Sequence, residues 1–100
     1  MYIMDKIALI AHYADLKAQQ GQTSKGAPEY YAYHQIGTAL ASEDVEQALK
    51  NRIQRCHDAI AENDQRNWNS RTGYRWFYGR MIELFEKAMQ EVKSDEVPNL

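Results

Sequence analysis

Cysteine occurs once in this chain, as Cys56, and proline only twice, as Pro28 and Pro98. A single cysteine excludes an internal disulfide, and small secreted domains usually carry several. It also excludes a structural zinc site built on thiolates. No segment alternates Val, Ile or Thr with polar residues, so strands are not expected. The apolar run Ile7 to Ala11 is interrupted by His12 and Asp15. It is too short for a membrane span and lacks the marks of a secretory leader. The sequence therefore predicts a cytoplasmic protein with no membrane association.

Catalytic and metal signatures are equally scarce. His12, His34 and His57 are more than twenty residues apart and form no HxxxH or HExxH pattern. Cys56 and His57 are adjacent, so on a helix they diverge by about 100° and cannot act as nucleophile and base together. No Glu-x-x-His occurs, which removes the di-iron bundle pattern. The expectation is a protein without metal, cofactor or enzymatic activity.

What remains is ordinary globular composition, with 44% hydrophobic and 26% charged residues in 100. That length suits one domain with a thin core. We expect one domain over 1–93 and a loose tail over 94–100. A thin core with an aromatic surplus also favours a homo-oligomer.

Hydrophobic spacing predicts four helices. The first runs from about Asp5 to Gln20 with two apolar stripes, Ile3–Ile7–Ile10–Ala14 and Leu9–Tyr13–Leu16, and Gly21 is placed to end it. Gly21–Ala27 reads as a loop. Pro28 and Glu29 open a short second helix to about Ala41, with Tyr30, Tyr33, Ile36, Gly37 and Leu40 on one face. Gly37 suggests close approach of another helix. Ser42 is the expected N-cap of a third helix running to about Asp64, striped by Val45, Leu49, Ile53, Cys56 and Ile60. Asn63–Gly73 is a polar junction. The last helix runs from about Arg71 to Lys93, with Tyr74, Tyr78, Met81, Phe85, Ala88 and Val92 repeating at steps of 4 and 3. The fold class is an all-α, antiparallel bundle of about four helices, the second short.

Net charge is only −2, but all six arginines lie between Arg52 and Arg80 against three acids. Elsewhere six lysines face eleven acids, so a basic block sits on an acidic body. Within it, Gln65 to Arg80 holds Arg66, Arg71, Arg75 and Arg80 with Trp68, Tyr74, Trp76, Phe77 and Tyr78, and no acid. Arg, Trp and Tyr dominate binding hot spots and also suit phosphates and stacked bases. On an ideal helix Trp76 points roughly 160° from the Tyr74–Phe85–Val92 stripe, with Arg80 four residues on. It is then covered by its own chain (the Met1–Met4 segment or the third helix), by a second copy, or by a foreign partner. The arginines are likewise either free for a partner or paired with acids elsewhere in the fold.

Secondary candidates are Lys25, in a Thr-Ser-Lys-Gly loop before a helix start, and Tyr31, off the core stripe of its helix. The loop lacks P-loop spacing. A duplex-reading helix-turn-helix is disfavoured, because the would-be recognition helix opens Ser-Glu-Asp-Val-Glu toward phosphates. The sequence reading is a non-catalytic adaptor or inhibitor, of the kind common among phage and mobile-element accessory proteins. It would bind a partner protein through Arg66, Trp68, Arg71, Arg75, Trp76 and Arg80. The alternative is a nucleotide or single-stranded nucleic-acid binder using the same patch.

Overall fold

The computed structural model of the chain describes residues 6–66 and 73–94. Four helices follow one another: α1 (Lys6–Thr23), α2 (Pro28–Leu40), α3 (Val45–Gln65) and α4 (Gly73–Ser94). No strand occurs among the described residues. The chain is an all-α bundle, as the spacing of its apolar residues predicts. The fourth helix includes Ser94, so the expected tail reduces to residues 95–100, which lie outside the described residues along with 1–5 and 67–72.

Two antiparallel hairpins make up the bundle. In the first, Lys6 meets the Ser42 carbonyl, Tyr13 meets Tyr33 and Gly21 meets Tyr30. In the second, Asp64 at the end of α3 meets Arg75 at the start of α4. Helix α2 is the arm of the first hairpin that faces the second, packed on α1, α3 and α4. This explains why α2, though short, contributes Ala32, Ile36, Ala39 and Leu40 at 0–1% exposure. Leu49 and Cys56 of α3 and Met81, Leu84, Phe85 and Ala88 of α4 close the same core.

Local chemistry moves several of the expected boundaries. Helix α1 does not stop at Gly21 but continues to Thr23. The glycine is used for packing: the Tyr30 ring lies 3.2 Å from where a Cβ would stand. The helix end is closed by Gln20, whose carbonyl accepts from Ser24 N and Thr23 Oγ1 and whose side chain donates to the Ser24 carbonyl. Helix α3 is capped by Asp44, not by Ser42. The Asp44 carboxylate accepts from Gln47 N at 3.1 Å, whereas Ser42 Oγ donates back to the Ala39 carbonyl at 2.7 Å and closes α2. An N-cap acceptor sits two or three residues before the amide it serves, on the residue just ahead of the first helical one, and α3 starts too late for Ser42.

Two packing expectations are also corrected. Nothing lies within 4 Å of a Cβ placed on Gly37, so no helix approaches closely there. Of the two stripes on α1, the Leu9–Tyr13–Leu16 stripe faces the core. Ile7 is 80% exposed, and Ala14 is exposed with it. Leu84, absent from the expected α4 stripe, is buried.

Candidate functional site

The first turns of α4 carry the arginine–aromatic cluster. Helix α4 is amphipathic, and Met81, Phe85 and Ala88 anchor its apolar face in the core. With that face fixed, the 3.6-residue period turns Trp76 outward. Trp76 is 63% exposed, so α3 does not cover it. The Met1–Met4 segment proposed as another cover falls outside the described residues. Beside Trp76, Phe77 packs its ring 5.8 Å from that of Tyr31 on α2, and Tyr31 is itself 46% exposed. Phe77 also meets Tyr78 edge-on at 5.4 Å. The exposed aromatic surface thus spans α2 and α4.

The arginines around it are not free cations. Arg80 donates from Nε to Glu29 at 2.9 Å and from Nη1 to Glu83 at 3.1 Å. Arg75 donates from Nη2 to Asp64 at 2.9 Å, and Tyr74 donates its hydroxyl to the same carboxylate oxygen. Arg66 pairs with Glu62 at 3.2 Å. Three guanidiniums therefore meet four carboxylates, and Arg66, Arg75 and Arg80 are locally neutralised. For these three arginines the structure shows pairing with acids, Glu62 and Asp64 from the basic stretch itself and Glu29 and Glu83 from outside it. Glu29, Asp64 and Glu83 were invisible as site members in the sequence window, which contains no acid. Helical spacing sets Glu83 beside Arg80 on α4 itself, the pairing of α3 with α4 brings Asp64, and the packing of α2 brings Glu29.

The titration behaviour follows from these contacts. The hydrogen bond from Arg80 holds the Glu29 carboxyl below the usual range, partly opposed by burial. Hydrogen bonds from Tyr74 and then Arg75 hold Asp64 below it as well. Arg80 is raised, chiefly by its bond to Glu29. All these groups are held in their charged forms near neutral pH, so none is poised as a general acid or base.

Trp68 and Arg71, counted with this face in the sequence, lie outside the described residues. Lys25 and Tyr31, the secondary candidates, do not come together. Tyr31 packs against Phe77, next to Trp76 in sequence, whereas Lys25 lies in the turn after α1. There it lines an open groove of about 530 Å³ with Lys17, Gly21 and Tyr30. Lys17 Nζ stands 5.6 Å over the Tyr30 ring and 3.1 Å from His34 Nδ1. A second groove, about 650 Å³, runs between α3 and α4 past Lys50, Ile53, Glu86 and Met89.

Chemistry of other kinds finds little footing among the described residues. No three His, Cys, Asp or Glu side chains converge as metal ligands. Cys56 is buried and its thiol is pushed up by that burial, away from nucleophilic character. No helix among the described residues is long and apolar enough to cross a membrane. No family model matches this chain, and neither a curated protein nor a solved structure matches it.

Proposed function

We propose that this protein is a non-catalytic interaction module that docks a partner protein on the face formed by Trp76, Tyr31 and the flanking Arg75 and Arg80. The observation that carries the reading is the 63% exposure of Trp76, the most exposed large hydrophobic side chain of α4 among the described residues. A large exposed ring beside paired, pre-oriented guanidiniums has the composition of an interface hot spot. The arginine carbon stems add apolar area while their heads stay hydrogen-bonded. Its action would be occlusion of a partner surface, as an adaptor or inhibitor does.

The pairing of the arginines weighs against the alternative ligand, a nucleotide or single strand. A phosphate would have to displace Asp64 or Glu29 from its guanidinium, and the local excess of carboxylates repels it. Partner affinity should therefore depend weakly on salt.

The test is binding by the wild type and by Trp76→Ala, once a partner is isolated and purified. Loss of about thirtyfold in affinity, equivalent to about 2 kcal/mol, with unchanged helicity is the expected result. Equal affinity of the two proteins overturns the assignment of this face. Strong quenching of Trp fluorescence by a nucleotide panel, abolished by added salt, would instead establish the nucleic-acid reading.

A further inference from the structure

Helix α1 presents a second unpartnered surface, on the opposite side of its core stripe. Ile7, Ala11, Ala14 and Ala18 are all exposed and are spaced 4, 3 and 4 residues apart. No charged residue interrupts that line, and it ends in a large knob, Ile7, at 80% exposure. At the other end of the helix is a hollow: the 530 Å³ groove, whose floor includes Ala14, Ala18 and Gly21. Ile7 and Ala18 are eleven residues apart, about 16 Å along the axis. A knob and a hollow on one helix are complementary to a copy of themselves turned end for end.

The charges have the same polarity. Beside Ile7, Lys6 Nζ donates to the Ser42 carbonyl at 3.2 Å. That contact holds the α2–α3 turn, with its exposed Glu43 and Asp44, against the start of α1. The groove at the far end is rimmed by Lys17 and Lys25. Turning a second copy end for end lays each acidic turn over the partner's lysines. Parallel pairing would instead set like charges together at both ends.

We infer that α1 is the contact of an antiparallel, two-fold homodimer, in which each Ile7 enters the groove beside the partner's Ala18 and each Glu43 faces the partner's Lys25. The arrangement is isologous, as two-fold symmetry requires. The alanine seam lets the two helix backbones approach closely, so modest area is buried with tight packing. The Trp76 face takes no part and is left for a different protein.

Sedimentation velocity at high micromolar concentration tests this on the full chain. Wild type and Trp76→Ala should both sediment as dimers, and Ile7→Glu as a monomer. Ile7 is already largely solvated, so the Ile7→Glu circular dichroism spectrum should match wild type. Glu43→Lys should weaken the dimer, and the double variant Glu43→Lys/Lys25→Glu should restore it. The orientation has its own readout. Ile7→Cys/Ala18→Cys should oxidise to a covalent dimer, because the two thiols of one chain are too far apart to bridge. Ile7→Cys alone should not, and the buried Cys56 does not compete. A monomeric wild type, a dimeric Ile7→Glu, or a covalent dimer from Ile7→Cys alone would each overturn the inference.

Discussion

Tyr13 donates its hydroxyl to Glu91 Oε1 at 2.5 Å, joining α1 to α4 across 78 residues of sequence. The Tyr13 side chain is 3% exposed, and burial followed by the bond to Glu91 drives its pKa upward. The phenol is thus locked neutral, as the donor of a charge-assisted bond. Because α1 otherwise packs mainly on α2, this bond is its most specific tie to the second hairpin. Tyr13→Phe keeps the ring and removes the donor. It should cost about 1–2 kcal/mol, read as a lower urea midpoint at unchanged slope. The pH sign follows from a raised folded pKa. The contribution is complete below the unfolded tyrosine value of 10.0 and is lost as pH climbs above it. Wild type should therefore lose its advantage over Tyr13→Phe only in strong alkali.

Glu29 and Arg80 behave oppositely at the acid end. The folded pKa of Glu29 lies below its ordinary 4.5. The pair therefore stabilises the fold above pH 4.5 and its contribution vanishes as pH falls through the lowered value. The bond is partly exposed, so about 0.5–1 kcal/mol is expected at neutral pH. Glu29→Gln should show that deficit at pH 7 in urea melts. The wild-type and variant curves should converge at strongly acid pH.

Arg52 is the one described arginine whose Nε is buried without a hydrogen-bond partner. Its Nη1 reaches the Ala48 carbonyl at 3.1 Å, but desolvation, and then Arg55, lower its pKa. The stem packs while the head is incompletely satisfied. Arg52→Met keeps the stem and removes the charge. It should leave stability unchanged or raise it by about 0.5 kcal/mol, measured by thermal melting. A loss above about 1 kcal/mol would mean that the guanidinium is stabilising after all.

The uneven legibility of this chain has a physical pattern. Helix α4 could be read because one strong apolar stripe faces an opposite face that is mostly polar, Trp76 excepted. Helix α1 could not be oriented: Ile7 and Leu9 head equally apolar stripes, and periodicity alone cannot choose between them. Only the partner surface on α2 decides. The start of α3 was misread because Ser42 and Asp44 are both good caps, and the choice rests on where the α2 turn ends. The Arg80–Glu29 pair spans 51 residues, so no window of sequence could contain it. Exposure of Trp76, in contrast, follows from the helical period once the Phe85 side is known to be inside.

Gly37 gives a direct check on that reading of glycine. It lies inside α2 in open space, with no neighbour within 4 Å of a new Cβ. Gly37→Ala should therefore stabilise the protein by about 0.5–1 kcal/mol through helix propensity alone. That corresponds to a rise in melting temperature of about 2–8 °C for a chain of this size. A drop would show that α2 is approached there after all.

Trp76 and Phe85 lie nine residues apart on one helix and should answer substitution in opposite ways. Phe85 is 0% exposed at the centre of the core. Phe85→Ala removes a buried ring and leaves a cavity, at a cost of about 3–5 kcal/mol. In a 100-residue domain that is a large fraction of total stability. Trp76 is 63% exposed, so Trp76→Ala should change stability by less than about 0.5 kcal/mol. Paired urea titrations of the two variants decide the matter. A small change at Trp76 means the ring is surplus to the fold and free to contact the proposed partner. A loss comparable to that at Phe85 would place Trp76 among the residues that hold the bundle together, and the binding face would have to be sought elsewhere.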